Sequence, residues 1–212
     1  MARAFAHQRY ERYKPGAWIN AETDVSLIAS LSALAPLLGV PAEQDQQAMA
    51  ARAINEISAR EPWLVVFDNA ASSESLRPIV EQLGGDGHVL ITSRNEHWDA
   101  LATTVSVTQW SVDESARFLL ARTGQSDRGE AEAEALARDL DGLALALGHA
   151  AAYMRAGDGM TLTEYRRIWR ENLKRSVKGH DYEKSVAATL GLSLDRAKEE
   201  SPAAYDLLCL FA

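Results

Sequence analysis

The chain has 212 residues, of which 47% are hydrophobic and 25% are charged. Its 22 basic and 30 acidic residues give a formal net charge of -8, which argues against a protein whose main role is to cover the phosphate backbone of a nucleic acid. No apolar run approaches the roughly 18 residues of a membrane-spanning helix, and the N-terminus lacks the uninterrupted apolar segment of a secretory signal. We therefore predict a soluble, cytoplasmic protein.

Helical and strand-like patterns alternate along the first half of the chain. Strands are predicted from short apolar runs, and helices from apolar residues that recur every three or four positions. In chain order these patterns predict a strand at 16–22, helices near 26–39 and 43–60, a strand at 63–67, a helix at 72–83, and strands at 88–92 and 103–107. Continuous apolar strands separated by helices are typical of a parallel sheet that is covered on both faces.

From about residue 111 the pattern is helical alone. Ser111 and Glu114 have the spacing of a capping box, and residues 161–164 repeat it. Residues 139–157 are rich in Ala and Leu on every side, which predicts a buried helix. The single cysteine, Cys209, lies in an apolar helical stretch, where we expect it to be part of a core.

Polar side chains follow three of the predicted strands. They are Asn20 and Glu22, then Asp68 and Asn69, then Thr92, Ser93 and Arg94. Because parallel strands deliver their carboxyl ends to one edge of a sheet, these side chains are expected to lie together. An Asp at such an edge can hold Mg²⁺ through oxygen ligands, and an Arg one strand away can bind a terminal phosphate through its planar fork. This pattern predicts a magnesium-nucleotide site.

Two of these residues also have simpler interpretations. Asp68 has the position of a cap for the helix that begins near residue 73, and Arg94 is consistent with an ordinary surface arginine. A strand that ends in Asp is a weak motif, so the residues alone leave both interpretations open.

Four segments follow one another along the chain: "WLVVFDNA", "HVLITSR", "LDGLALALGHAAAYM" and "SVAATLGLSLDRAKEESPAAYDLLCLFA". Their order resembles the STAND-class signalling ATPases of the NB-ARC family, especially bacterial members with tetratricopeptide repeats. The segment "FAHQRYERYKPGAWINAET" is similar to the helix after the phosphate loop and to the second strand of such proteins. The resemblance implies an α/β fold with a P-loop NTPase-like parallel sheet that lacks its first (P-loop) strand. A helical domain and the start of a winged-helix domain would follow.

The resemblance implies three domains and a set of partners. Residues 1–110 would be a partial nucleotide-binding domain, residues 111–180 a helical lid domain and residues 181–212 the beginning of a winged-helix domain. The implied ligand is ADP or ATP with Mg²⁺. The implied partners are sensor repeats and an effector domain of the same parent protein, with a homo-oligomer on activation. Neither nucleic acid nor a membrane is an expected partner.

The resemblance also implies roles for matching residues. Asp68 would be the Walker B acid, which takes part in catalysis and holds Mg²⁺. Arg94 would be the sensor that reads the terminal phosphate, and Thr92 and Ser93 would belong to the same nucleotide-binding strand end. The protein would be a switch, in which ADP or ATP between the α/β part and the helical part biases a closed or an open arrangement.

Leu143 and Ala144 lie in the segment 140–147, which the resemblance implies is the turn that closes over adenine. Ala144 stands where the family pattern has proline, so the expected rigid contact with adenine is softened. Asn69 stands where a second acid is often found, and an amide cannot act as a general base. We therefore expect slow hydrolysis of ATP at most in the intact parent protein, and none by this chain.

No G-x-x-x-x-G-K-[ST] phosphate loop is present in the 212 residues. In the resembling family the strand that carries this loop lies between the strands that correspond here to 88–92 and 103–107, so the predicted sheet has a gap. We expect weak or no nucleotide binding by this chain. A chain that starts after the loop and an evolved loss of the loop are both consistent with this absence.

A second hypothesis is a non-enzymatic interaction or transcription-regulatory module, because residues 185–212 resemble the start of a winged-helix domain and Asn69 and Ala144 depart from the nucleotide-binding pattern. The basic stretch 164–180 has aromatic residues between its charges and is a candidate surface for nucleic acid or an acidic membrane. A solvated helix face is the favoured interpretation, since Glu164 and Glu171 interrupt the basic residues.

Overall fold

A computed structural model of the chain describes residues 1–98, 100–125, 129–157, 159–175 and 181–210. The chain divides into two compact units, Met1–Ser106 and Val107–Ala212. The first unit is an α/β structure with a parallel sheet, as the sequence predicts, and the described part of the second unit is helical. No helix among the described residues is long and apolar enough to cross a membrane.

Three parallel strands form the sheet of the first unit. They are β1 (Gly16–Asn20), β2 (Trp63–Asp68) and β3 (Gly87–Ile91), in the spatial order β1-β2-β3. The register pairs Asn20 with Asp68 and Phe67 with Ile91, so the carboxyl ends of all three strands lie at one edge. These strands confirm the predictions at 16–22, 63–67 and 88–92 to within two residues.

One face of the sheet is covered by three helices: α2 (Asp24–Leu34), α3 (Gln46–Ser58) and α4 (Ser73–Val80). Ile19, Val65 and Phe67 of the strands point into this core, and each is at most 1% exposed. Alternation along the strands places the intervening residues on the opposite face.

The opposite face packs against the first helix, α1 (Ala2–Arg9), and the turn after it. Leu64 and Val66 are buried there beneath Ala2, Ala6 and Tyr13. Trp18 lies on the same face but stays 43% exposed. This second, smaller core therefore leaves part of β1 open to solvent.

The predicted strand at 103–107 is wrong, because these residues have no regular secondary structure. Val105 and Val107 are 80% and 72% exposed. The segment has the β-branched composition of a strand, but a strand needs a neighbour to satisfy its backbone groups. No described segment pairs with the outer edge of β3, where the sequence predicts a gap in the sheet.

Six helices make up the described part of the second unit. They are α5 (Val112–Thr123), α6 (Glu130–Asp139), α7 (Ala144–Ala156), α8 (Leu162–Arg175), α9 (Asp181–Glu200) and α10 (Pro202–Leu210). Their core includes Leu119, Leu136, Leu147 and Tyr165, none of which is measurably exposed. One face of α7 belongs to this core while Leu145 is 53% exposed, so the helix is less buried than its composition predicts.

Both predicted capping boxes are confirmed. The hydroxyl of Ser111 accepts a hydrogen bond from the N–H of Glu114 at 3.2 Å, and the Glu114 carboxylate accepts one from the N–H of Ser111 at 2.9 Å. Thr161 and Glu164 exchange the same pair of bonds at the start of α8. The expectation for Cys209 is wrong, because it lies on the exposed side of α10.

Several basic residues of α8 form ion pairs within the protein. Arg166 and Arg170 both bind the carboxylate of Asp139 at the end of α6, with closest distances of 2.6 and 2.8 Å. Arg167 pairs with Glu171 along the helix. Residues 176–180 of the basic stretch lie outside the described residues. The predicted domain boundary at 180/181 falls at the edge of that gap.

Candidate functional site

Asp68 is the last residue of β2, the central strand of the three, and it stands at the carboxyl edge of the sheet. Its side chain lies on the same face of the sheet as Trp18. Within their strands, Asp68 follows Phe67 and Trp18 precedes Ile19, and these two neighbours point to the other face. The five residues before it are buried, whereas Asp68 itself is partly exposed. The buried strand thus presents one carboxylate to solvent at the position where parallel sheets bind ligands.

Each oxygen of the Asp68 carboxylate accepts a hydrogen bond from a neighbouring strand. The hydroxyl of Thr92 donates to Oδ1 at 2.5 Å, and the indole N–H of Trp18 donates to Oδ2 at 3.2 Å. The first distance is typical of a hydroxyl that donates to a charged carboxylate. Donors from both flanking strands therefore fix the orientation of this carboxylate.

Thr92 connects the ends of β2 and β3. Its N–H donates to the carbonyl of Phe67 at 2.9 Å, and its carbonyl accepts from the N–H of Ala70 at 2.8 Å. Its hydroxyl also accepts from the N–H of Asn69 at 2.9 Å. One side chain thus binds both the carboxylate and the backbone that follows it.

Asn69 turns the chain at the end of β2. Its φ of 60° lies in the left-handed region, which Asn adopts more readily than most residues other than glycine. Its side chain is exposed. The left-handed backbone conformation is thus one reason for an asparagine at this position. The sequence gives another interpretation, in which the asparagine stands in place of a second acid.

The interpretation of Asp68 as a helix cap is wrong. The N-cap of α4 is Ser72, whose hydroxyl accepts from the N–H of Ser75 at 3.4 Å. The carboxylate of Asp68 is bonded to Trp18 and Thr92 instead. Its position at the sheet edge is therefore not explained by a role in starting α4.

Ser93 and Arg94 follow Thr92 but differ in surroundings. The hydroxyl of Ser93 donates to the carbonyl of Ala70 at 2.7 Å and accepts from the N–H of Asn95, so it holds the loop in shape. Arg94 is exposed, and its guanidinium makes no ion pair or hydrogen bond with the described residues. Of the predicted residues of this edge, Asp68 and Thr92 are thus in contact, and Arg94 is the unpaired cation.

The carboxylate of Asp68 fits a metal ion only as one ligand among several. Each oxygen has two lone pairs, and one of them is used by Thr92 or Trp18. Within the described ranges, no three His, Cys, Asp or Glu side chains lie together as a metal-binding group. Mg²⁺ is often bound by one or two carboxylates together with water and substrate phosphates, which is the arrangement these residues suit.

Leu143 and Ala144 lie in the second unit, at the start of α7. Leu143 is 6% exposed and belongs to the helical core, whereas Ala144 is exposed as the first residue of α7. Asp141 and Gly142 precede them with φ values of 53° and 62°, which form a tight left-handed turn. A surface cleft beside this turn is lined in part by Gln109, Trp110 and Arg138.

Sequence reasoning missed Trp18 as a part of this site. The contact is diagonal, because Trp18 pairs with Val66 and therefore meets Asp68 one position further along the face. The alternation of "GAWIN" does place Trp18 on the face opposite Ala17 and Ile19, which is a signal that the sequence contains. Without the register of β1 against β2, that signal does not identify its partner.

A scan of the chain against protein-family models found no match. A search of the curated proteins likewise found no similar sequence.

Proposed function

We propose that this chain is a nucleotide-binding switch module of the STAND class, related to the NB-ARC family and to P-loop NTPases, that binds ADP or ATP with Mg²⁺. The observation that supports this best is the orientation of Asp68 at the carboxyl edge of a parallel sheet by two donors from neighbouring strands. Arg94, which is exposed and has no ion pair among the described residues, adds a cation on the loop after β3.

Each residue of this edge has a role in the proposal. Asp68 is a ligand of the metal that accompanies the nucleotide, and Arg94 binds the terminal phosphate, for which its planar guanidinium is suited. Thr92 keeps the carboxylate in place and Ser93 shapes the loop that carries Arg94. Asn69 supplies no general base, so the module holds the nucleotide and does not turn it over at a useful rate.

The phosphates need more donors than these residues supply. The 212 residues contain no phosphate loop, and the outer edge of β3 is unpaired among the described strands. The proposal places a strand with such a loop beside β3, which is the neighbour that the resemblance implies for it. We therefore expect the affinity of this chain for nucleotide to be weaker than micromolar.

Binding is tested by titrating the ¹⁵N-labelled chain with ATP or ADP up to about 10 mM, in Mg²⁺ and in EDTA, because NMR shifts report the weak dissociation constants expected here. Asp68→Ala is expected to remove the difference between Mg²⁺ and EDTA, and Arg94→Ala to weaken ATP more than ADP. Arg155→Ala, an exposed arginine of α7, is the matched control. Of the weak or absent binding that the sequence allows, the proposal requires weak binding, so it fails if the wild-type chain shows no nucleotide-dependent shift at these concentrations.

A non-enzymatic interaction module is the second candidate. Leu190 and Leu194 of α9 and Leu207 and Leu210 of α10 are between 36% and 81% exposed, which is unusual for four leucines on two successive helices. Such a module would act without a nucleotide. The two candidates differ for the intact protein, since the output of an interaction module should survive both Asp68→Ala and Arg94→Ala.

A further inference from the structure

Trp18 has an exposed ring, but its indole N–H donates to a side chain of the protein. Its indole is on the sheet face that α1 only partly covers, and 43% of the residue is exposed. The indole N–H nevertheless points along the face to Oδ2 of Asp68. An exposed tryptophan normally satisfies this donor with water, so its direction toward a carboxylate is a specific feature of the site.

Three of the other four tryptophans use their indole N–H groups differently. Trp63 and Trp98 donate to the backbone carbonyls of Gly84 and Asn95 at 3.0 and 2.8 Å, and Trp169 donates to the hydroxyl of Thr189. These three are buried residues that need an internal partner. Among the described residues, Trp18 is the tryptophan whose indole meets a carboxylate.

The two donors on Asp68 restrain the same rotation at the two oxygens of the carboxylate. The hydrogen bond from Thr92 to Oδ1 already opposes rotation about the bond to the β-carbon, but it holds the group through one oxygen only. A second donor on Oδ2 adds to that restraint, and each oxygen keeps one lone pair for a ligand. A ligand held in place before binding loses less conformational freedom when the metal arrives.

We infer that Trp18 is a positioning residue for the metal-bound nucleotide, which acts by holding the Asp68 carboxylate in one orientation before Mg²⁺ binds. This inference rests on the proposed function and adds a residue to it. Its consequence is a selective one: loss of the indole N–H weakens binding of the nucleotide only when Mg²⁺ is present. A purely structural tryptophan would affect both forms of the nucleotide equally.

The test compares the wild-type chain with Trp18→Phe, which keeps an aromatic ring and removes the N–H. We expect the dissociation constant for ATP in Mg²⁺ to rise about three- to tenfold, the range for loss of one hydrogen bond of ordinary strength, and the constant in EDTA to stay unchanged. Tyr10→Phe is the matched control, because the exposed Tyr10 hydroxyl also donates to a carboxylate, that of Glu11, at 3.2 Å.

A double-mutant cycle separates the positioning role from a change in folding. In the Asp68→Asn background, Trp18→Phe should have no further effect on ATP binding in Mg²⁺, because the group it positions has lost its charge. The indole N–H signal of Trp18, identified by its absence in Trp18→Phe, should shift in Asp68→Asn. This second measurement needs no nucleotide and reports the contact in the folded chain.

The outcomes distinguish the two proposals. Equal ATP binding by the wild type and Trp18→Phe in Mg²⁺ would overturn the positioning role and leave the proposed function standing. Equal weakening in Mg²⁺ and in EDTA would overturn it as well, since that result indicates a general structural effect. A wild-type chain that binds no nucleotide would overturn the proposed function, and the positioning role with it.

Discussion

The backbone carbonyl of Trp110 occupies the space in which a β-carbon on Gly142 would lie. The two residues are also joined by a hydrogen bond of 3.0 Å from the N–H of Trp110 to the carbonyl of Gly142. Gly142 has a φ of 62°, a backbone angle that residues other than glycine rarely adopt. The start of α7 therefore depends on the absence of a side chain at this position.

Gly142→Ala is expected to lower the free energy of unfolding by about 3 kcal/mol or more, because a left-handed conformation and a backbone collision act together. Gly124→Ala is the control, since Gly124 has a similar φ of 72° but nothing within 4 Å of its would-be β-carbon. We expect the control to lose about 1–2 kcal/mol. Urea unfolding of both variants measures the difference, and equal losses would contradict the collision.

Ser111, the N-cap of α5, and Ser115 within the helix should respond differently to substitution by alanine. Ser111 caps the helix, so Ser111→Ala is expected to lower stability by about 1 kcal/mol. Ser115 is fully buried, and its hydroxyl has no hydrogen-bond partner among the described groups. Ser115→Ala should therefore leave stability unchanged or raise it by up to about 1 kcal/mol. Chemical denaturation checks the sign, and a loss in Ser115→Ala would show that its hydroxyl has a partner.

Asp139 makes the stability of the second unit depend on pH. Partial burial alone would raise the pKa of its carboxyl, but hydrogen bonds from Arg170 and Arg166 outweigh burial and hold the pKa below its ordinary value. A pKa that is lower in the folded state stabilises the fold above the unfolded value of about 3.9, and this contribution is lost as pH falls through the folded value.

Asp139→Asn is expected to lower stability by about 1–2 kcal/mol at pH 7, with the difference from wild type shrinking below about pH 4. Asp113→Asn is the control, because Asp113 and Arg117 form an exposed pair at 2.7 Å that contributes about 0.5 kcal/mol at most. Thermal unfolding at a series of pH values gives both curves. A difference that stays constant from pH 7 to pH 3 would rule out the charge of Asp139 as its cause.

Arg196 attaches α9 to the end of α7. Its guanidinium donates to the carbonyl of Ala156 at 2.7 Å and lies 5.3 Å from the ring centre of Tyr153. Arg196→Ala should leave the last carbonyls of α7 without this partner and speed local opening of α9 about tenfold in hydrogen exchange. Lys198→Ala, which removes an exposed cation over Tyr205, should change exchange little. Equal effects would show that Arg196 does not hold α9.

The features that the sequence predicts correctly depend on near neighbours. The strand 63–68 is a run of large apolar residues followed by an acid, and the cap at Ser111 needs only Glu114 three residues later. Local patterns of this kind determine most of the helices and three strands. The orientation of a carboxyl edge also follows, because parallel strands must end on the same side.

The features that the sequence does not predict depend on distant partners. Residues 103–107 have the composition of a strand, yet they form no ladder with the strands of the described sheet. The contact between Trp18 and Asp68 depends on the register of two strands that are more than forty residues apart in the chain. Cys209 lies in an apolar stretch, but its burial depends on what covers α10, which composition alone does not reveal.

The outer edge of β3, with which no described strand pairs, has a consequence for how the purified chain will behave. Thr92 uses its N–H and carbonyl toward β2, so by alternation Val89 and Ile91 direct theirs outward. An edge of this kind is a template for pairing with another extended segment. We therefore expect copies of the chain to associate through it at high concentration. Any segment that docks there is expected to carry apolar residues toward both faces, because Val89 and Ile91 of β3 pack into one core and Leu90 packs into the other.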